Sequence, residues 1–284
     1  MKTSAYLLLD FRRFFLRRRW LLPVFTGLIL GYGASDAIKM LSGLPSAATG
    51  VEYAGIRQGN ALEAFLWAFG KPEIVYFVAT VLFIYLISDL LPDDLFGRMA
   101  LFRLQSRRQG WIAKTALVLF FTLVYCLLLF GAFFLVAGAQ LPFSGDWSQV
   151  GLDNFGMNLG FSLKNGSLLH GSLVIALLLF LGWFAAVMLA LTINQISQKY
   201  WPGFLSGALF AVLANLGSIF GGAINQKGLI AYFLLYNHLE YTPLWSPQRE
   251  MPLVVSIIFW LIWILTCFVA GMFASRRQNF YLIQ

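Results

Sequence analysis

The sequence predicts an all-α polytopic membrane protein, and three observations carry that prediction. The first is composition. Of 284 residues, 60% are hydrophobic and 11% charged, and the mean hydropathy is +0.76. A soluble fold of this length has too little interior to hide so much apolar surface. The second is a set of six apolar runs, each near the ~20 residues a crossing helix needs. The third is the lopsided placement of the basic residues between alternate loops.

The six spans are expected at about 20–37, 72–91, 111–137, 168–193, 202–222 and 252–274. Pro72, Pro202 and Pro252 fall at span starts, where a missing N–H costs nothing, and Pro23 lies in the first turn of the first span. The chain reads as a single transmembrane domain over 1–284. No signal peptide is expected, because no small-residue cleavage site follows the first apolar stretch.

Residues 1–19 precede the first span. Leu8, Phe11 and Phe15 recur at helical spacing, while Asp10, Arg13 and Arg17 lie on another face. Arg12 and Arg19 blur the stripe. The segment reads as an interfacial helix, with Phe11 and Phe15 in lipid and Arg12, Arg13, Arg17, Arg18 and Arg19 at anionic headgroups. Each such arginine is worth about 1 kcal/mol near the surface. The alternative is a plain stop signal for topology.

Between spans two and three lies 92–110, PDDLFGRMALFRLQSRRQG. Asp93 and Asp94 open it, and Arg98, Arg103, Arg107 and Arg108 follow. It cannot stay in hydrocarbon, since each charge there costs roughly 2.5–3.5 kcal/mol. Leu95, Met99 and Phe102 share one helical face, and Arg103 and Arg107 share another. This is the pattern of a short amphipathic helix on the inner membrane surface.

Of the 20 Lys and Arg residues, all but Lys39, Arg57, Lys71, Lys164, Lys227 and Arg249 fall in one set of alternate segments. Both termini are therefore expected in the cytoplasm. The formal net charge of +8 is accounted for by inner-surface arginines and needs no nucleic acid. The outer loops, 38–71 and 138–167, hold Gly, Asn, Ser and Asp clusters and read as turns. The apolar stretch 228–236, GLIAYFLLY, is too short to cross. It is either a re-entrant dip or a helix lying flat on the outer surface.

Small residues recur at G-x-x-x-G spacing: Gly27 and Gly31 in span one, Gly203 and Gly207 in span five, then Gly217 and Gly221. They let helix backbones approach closely, within this chain or at a subunit interface. Asn215 is a candidate donor between helices.

The common catalytic patterns are not met. Neither His170 nor His238, both placed outside or at a rim, belongs to an H-E-x-x-H motif. Ser206 has no histidine at its depth, no paired glutamates sit on a span, and no phosphate-binding G-x-x-x-x-G-K-[ST] loop occurs. Cys126 and Cys267 lie in apolar runs and read as small hydrophobes. No metal site and no catalytic residue is expected.

The layout as a whole resembles the permease subunit of type 2, exporter-type ABC transporters. The likeness spans essentially the full chain: an interfacial N-terminal helix, six spans with both ends inside, a coupling helix between spans two and three, and an outer re-entrant element between spans five and six. The run Asp93-Asp94, Arg98, Arg103, Ser106-Arg107-Arg108, Trp111, Lys114 is similar to that family's pattern, although the family more often opens it with Glu.

The resemblance implies a half-transporter with no cofactor of its own. ATP and Mg would sit on a separate ATP-binding subunit, docked on Asp93, Asp94, Leu95, Arg98, Met99, Phe102, Arg103, Arg107 and Arg108. A second permease subunit, identical or homologous, would complete the path. The expected cargo is hydrophobic or amphipathic: a peptide, an antibiotic or a lipid-like molecule. A non-transporting accessory, sensor or immunity protein is the rival reading, and lipid headgroups are the rival partner for these arginines.

Overall fold

The structure is a computed structural model that describes residues 18–43, 58–70, 78–87, 107–152, 167–199, 201–221, 235–239 and 252–276. For Arg107, Tyr236 and residues 215–221 the backbone alone is described. A 3-10 turn, Arg18–Trp20, leads into α1, Leu21–Ser42. Then come α2, Ala61–Phe69, and α3, Val81–Ile87, the latter entered through a π-helical turn at 78–80. The long helix α4 spans Arg107–Gln140, α5 spans Leu168–Ser197 and α6 spans Trp201–Gly221. A second 3-10 turn, Leu235–His238, precedes α7, Leu253–Arg276. Among the described residues there is no strand.

Among the described residues, four helical stretches are long and apolar enough to cross a membrane: Arg18–Ser42, Arg108–Gln140, Leu168–Ser197 and Leu253–Arg276. They overlap the expected first, third, fourth and sixth spans, and α1 runs five residues past the expected end. The described part of the second span is a ten-residue helical stretch, Val78–Ile87. The fifth coincides with α6, whose apolar stretch is Trp201–Ala214.

Helix directions follow from the contacts. On the α1–α4 seam, Trp20 meets Phe121 at 5.2 Å between ring centroids, Gly31 meets Phe133, and Lys39 Nζ donates to Gln140 Oε1 at 2.7 Å, so the two helices are parallel. α5 runs against them, with Trp183 beside Tyr125 and Leu169 N–H donating to Gly145 O. α7 lies parallel to α5, since Trp260 is beside Gly182 and Thr192 Oγ1 donates to Cys267 O at 3.0 Å. α6 returns antiparallel to α5 through a tight turn.

That turn explains itself locally. Gln198 adopts the left-handed conformation (φ 57°) and its N–H donates to Asn194 O at 2.8 Å, which ends α5. Asn194 Oδ1 then accepts from Gly203 N–H at 2.7 Å, satisfying a donor that the start of α6 would otherwise leave unmet.

The α4 N-terminus, the α5–α6 turn and the α7 C-terminus share one end of the bundle, and α1 begins toward it. Arg18, Arg19, Arg108, Lys199 and Arg276 gather on that side, while Lys39, Glu63 and Asp146 lie toward the other. α5 is the core helix, buried along most of its length, whereas α7 buries only Ser256, Trp260, Cys267, Gly271 and Ser275. The outward faces of α1 and α7 carry exposed Phe25, Ile29, Ile258, Leu261 and Leu265, which suits lipid contact. Some hydroxyls along the spans turn back to their own helices: Thr122 donates to Val118 O and Thr266 to Ile262 O, each at 2.8 Å.

One expectation is corrected. The stretch 38–71 was expected to form turns, yet 61–69 within it is helical and buried almost all round. A helix apolar on nearly every face has to be covered on all sides, and α1, α4 and α5 pack against it here.

Candidate functional site

The end of the bundle around Gln140 holds the chemistry. α2 starts at Asn60, whose extended backbone (φ −124°, ψ 165°) leaves the helix path. Asn60 Oδ1 accepts from Leu62 N–H at 2.9 Å and Glu63 N–H at 3.0 Å. Glu63 Oε2 accepts from Asn60 N–H at 3.0 Å, completing a reciprocal capping box. The same residues clasp the loop after α4. Asn60 Nδ2 donates to Asp146 O at 3.0 Å, and Ala61 N–H to Pro142 O at 2.9 Å. Ser148 donates twice to Glu63, from N–H to Oε1 at 2.7 Å and from Oγ to Oε2 at 2.8 Å.

Glu63 is wholly buried. Burial pushes its carboxyl above the usual carboxylate range, while the hydrogen bonds from Asn60 and Ser148 pull it back without cancelling the rise.

Below the clasp, α2 descends toward the middle of the bundle. Phe65 stacks on Phe134 at 5.1 Å and meets Phe130 edge-on at 5.3 Å, while Phe69 meets Phe130 and Phe133. On the far side of these rings lies a cavity of about 420 Å³ between α2, α4, α5 and the loop at Phe143. Its lining is almost entirely apolar.

A second buried polar node sits near mid-bundle, where α3 begins. Tyr125 Oη donates to Ala79 O at 2.6 Å, and Trp183 Nε1 donates to Thr80 Oγ1 at 3.0 Å. Both partners lie in the π-helical turn, whose backbone bonding differs from that of a regular helix. Tyr125 also stacks on Phe83 at 4.4 Å.

No protein-family model matches the chain, and neither a curated protein nor a solved structure resembles it significantly. The reading of the site therefore rests on its own geometry.

Of the residues picked from the sequence for docking an ATPase, Asp93, Asp94, Leu95, Arg98, Met99, Phe102 and Arg103 lie outside the described residues, as do Phe11, Arg12, Arg13, Phe15 and Arg17. Arg107 opens α4 and Arg108 is exposed beside it. Arg18 is exposed and Arg19 half-buried in the first 3-10 turn. Four glycines prove to be points of close approach within the chain. Gly27 abuts Leu129 and Ala132, and a Cβ on Gly31 would stand 2.6 Å from Phe133 O. Gly203 abuts Ala190 and Asn194, and a Cβ on Gly207 would stand 2.8 Å from Ile84 Cδ1. Gly217, Gly221 and Asn215 lie on α6 where only the backbone is described. Ser206 Oγ donates to Gly203 O at 2.8 Å.

His238 was expected outside or at a rim. It lies beside Ser256 near the start of α7 and is fully buried, stacked on Phe259 at 3.8 Å, with Nδ1 3.2 Å from Ser256 Oγ. Trp260 Nε1 donates to its carbonyl at 2.9 Å, and Leu239 packs on Gly182. The histidine ends a 3-10 turn and the serine stands 18 residues on in α7, so no local pattern announces the contact. Of the stretch 228–236, residues 228–234 lie outside the described residues. Among the described residues no group of three His, Cys, Asp or Glu could hold a metal, and Cys126 and Cys267 are buried free thiols.

Asn60 and Glu63 did carry a signal. Asn followed three residues later by Glu, just before an apolar run, is the mark of a helix start. The cavity had none, because its walls come from three separate helices.

Proposed function

We propose that this chain is the membrane-spanning permease subunit of an ATP-driven, exporter-type ABC transporter, with ATP hydrolysed on a separate partner subunit. A second permease subunit would complete the path, in a plasma membrane with both termini cytoplasmic. The observation that carries the reading is the amphipathic arginine-rich segment 92–110 and its direct continuation into α4. At 34 residues, α4 is about 51 Å long. It packs on α1, α2, α5 and α7, so a push delivered at Arg107 and Arg108 would reach most of the bundle. Packed helices with discrete alternative arrangements transmit displacement of this kind.

Docking would rest on the apolar face, Leu95, Met99 and Phe102. Exposed ion pairs from Arg98, Arg103, Arg107 and Arg108 contribute only about 0–1 kcal/mol each, whereas buried apolar anchors dominate protein interfaces. The support for hydrophobic or amphipathic cargo is the scarcity of charge along the spans and the Phe-walled cavity.

The test is co-purification from native membranes in mild detergent. The expected result is a soluble ATPase subunit in stoichiometric amount, lost when Phe102→Ala is combined with Arg103→Glu. Recovery of the intact chain with no ATPase, and unchanged function of the double variant, would overturn the proposal.

A further inference from the structure

From the cavity beside α2 we infer a binding site for the acyl chain of a membrane lipid. The inference goes beyond the permease reading and does not need it. Three observations carry it. The cavity is about 420 Å³, within the ~300–1,000 Å³ range of small-molecule sites. Its walls are aromatic, with Phe65, Phe130, Phe134 and Phe143 forming a continuous chain of ring contacts at 5.1–5.7 Å. No charged side chain lines it, and its two hydroxyls are already engaged: Ser172 Oγ donates to Leu168 O at 2.9 Å, and Ser144 Oγ accepts from Asp146 N–H at 3.1 Å. A polar or ionic ligand would lose its hydration there and gain nothing in return. A hydrocarbon chain has no polar group to desolvate on entering it.

The setting selects a lipid over other apolar occupants. The mouth is flanked by Leu169 and Leu173, which are 48% and 62% exposed and stand on the same membrane-crossing helix as Ser172. One rim is polar, formed by the exposed segment Ser144, Gly145 and Asp146 after α4. The arrangement is an apolar slot opening to the lipid side, with a wet edge at one end. A chain inside the slot can keep its headgroup at that edge. A second copy of this protein would have to insert a protruding side chain into a concave aromatic wall.

The test uses the full chain in nanodiscs containing phosphatidylcholine with a diazirine near the end of one acyl chain. After illumination, adducts are mapped by mass spectrometry. Concentrated labelling on the cavity walls around Phe130 and Phe134 is expected, above that on the exposed α7 residues Leu261 and Leu265. Ala176→Phe, which fills the slot, should lower cavity labelling about tenfold and leave α7 labelling unchanged. Should that variant fail to fold, Leu173→Trp at the exposed mouth blocks entry without touching the core. Exchanging the choline headgroup for glycerol should change nothing. Cavity labelling no denser than on α7, or insensitive to both variants, would overturn the inference. So would strong dependence on the headgroup, or efficient cross-linking of two copies through a cysteine placed at Leu173.

Discussion

Glu63 sits with no described cation beside it, held by three donors from Asn60 and Ser148. Because burial raises its folded-state pKa above the unfolded value, the folded state binds the extra proton between the two. This contribution to stability is complete below the unfolded value of about 4.5 and is lost as pH rises through the raised folded value. Thermal unfolding in detergent across that window should show Tm falling with rising pH, and Glu63→Gln should flatten the slope. Ser148→Ala removes a hydrogen bond that favours the ionised form, so the fall should move to higher pH. An unchanged slope in both variants would show that Glu63 does not titrate there. At mid-bundle, Tyr125→Phe deletes the bond to Ala79 O and should cost about 1–2 kcal/mol, the penalty of a buried carbonyl left without a donor. The loss should appear as a lowered Tm with the helical circular dichroism retained.

The α1–α4 seam depends on elements meeting without side chains between them. Gly27 and Gly31 face the carbonyls of Leu129 and Phe133, and backbone atoms cannot move aside as a flexible side chain can. Gly31→Leu should therefore push α1 from α4 and cost about 1–3 kcal/mol, more than Leu at Gly33, where a Cβ meets open space. Comparing the two variants by thermal unfolding separates packing from the general effect of replacing glycine. The α5–α6 hairpin makes a different demand. Asn194→Ala removes the acceptor for Gly203 N–H and should lower stability by about 1 kcal/mol or somewhat more, as for other helix caps. Small residues at i and i+4 were legible in the sequence. Which helix each would meet was not, because the spacing describes one surface and says nothing of its partner. α2 was missed for a related reason. A nine-residue run falls below the length expected of a crossing, and the Gly and Ser clusters around it mask the capping pair at Asn60 and Glu63.

For the whole molecule, helix direction sorts the charges. Arg108, Lys199 and Arg276 share one end, with Lys39 and Asp146 toward the other, and the positive-inside rule would place the first group in the cytoplasm. Single cysteines at 108 and 276 should react with an impermeant maleimide only after the cytoplasmic face is opened, and one at 146 should react from outside. Reaction of 108 and 146 from the same side would contradict the bundle as built. The spread of burial matters at this scale too. α5 lies at the centre, while α7 and α1 keep broad apolar faces outward, toward lipid or toward a second subunit.

Composition and the length of the apolar runs by themselves determined a helical membrane protein, because hydrocarbon forces every backbone donor and acceptor to pair within a helix. Charge placement determined which helix ends belong together, because an arginine cannot easily be drawn through the bilayer. Only the tertiary structure decided that a short buried helix enters beside the first crossing, that Glu63 is sealed under Ser148, and that rings from α2, α4 and the loop at Phe143 wall a cavity beside α5. Those features depend on residues far apart in the chain meeting at van der Waals distance. Local periodicity reports which face of a helix is apolar, and never what that face will touch.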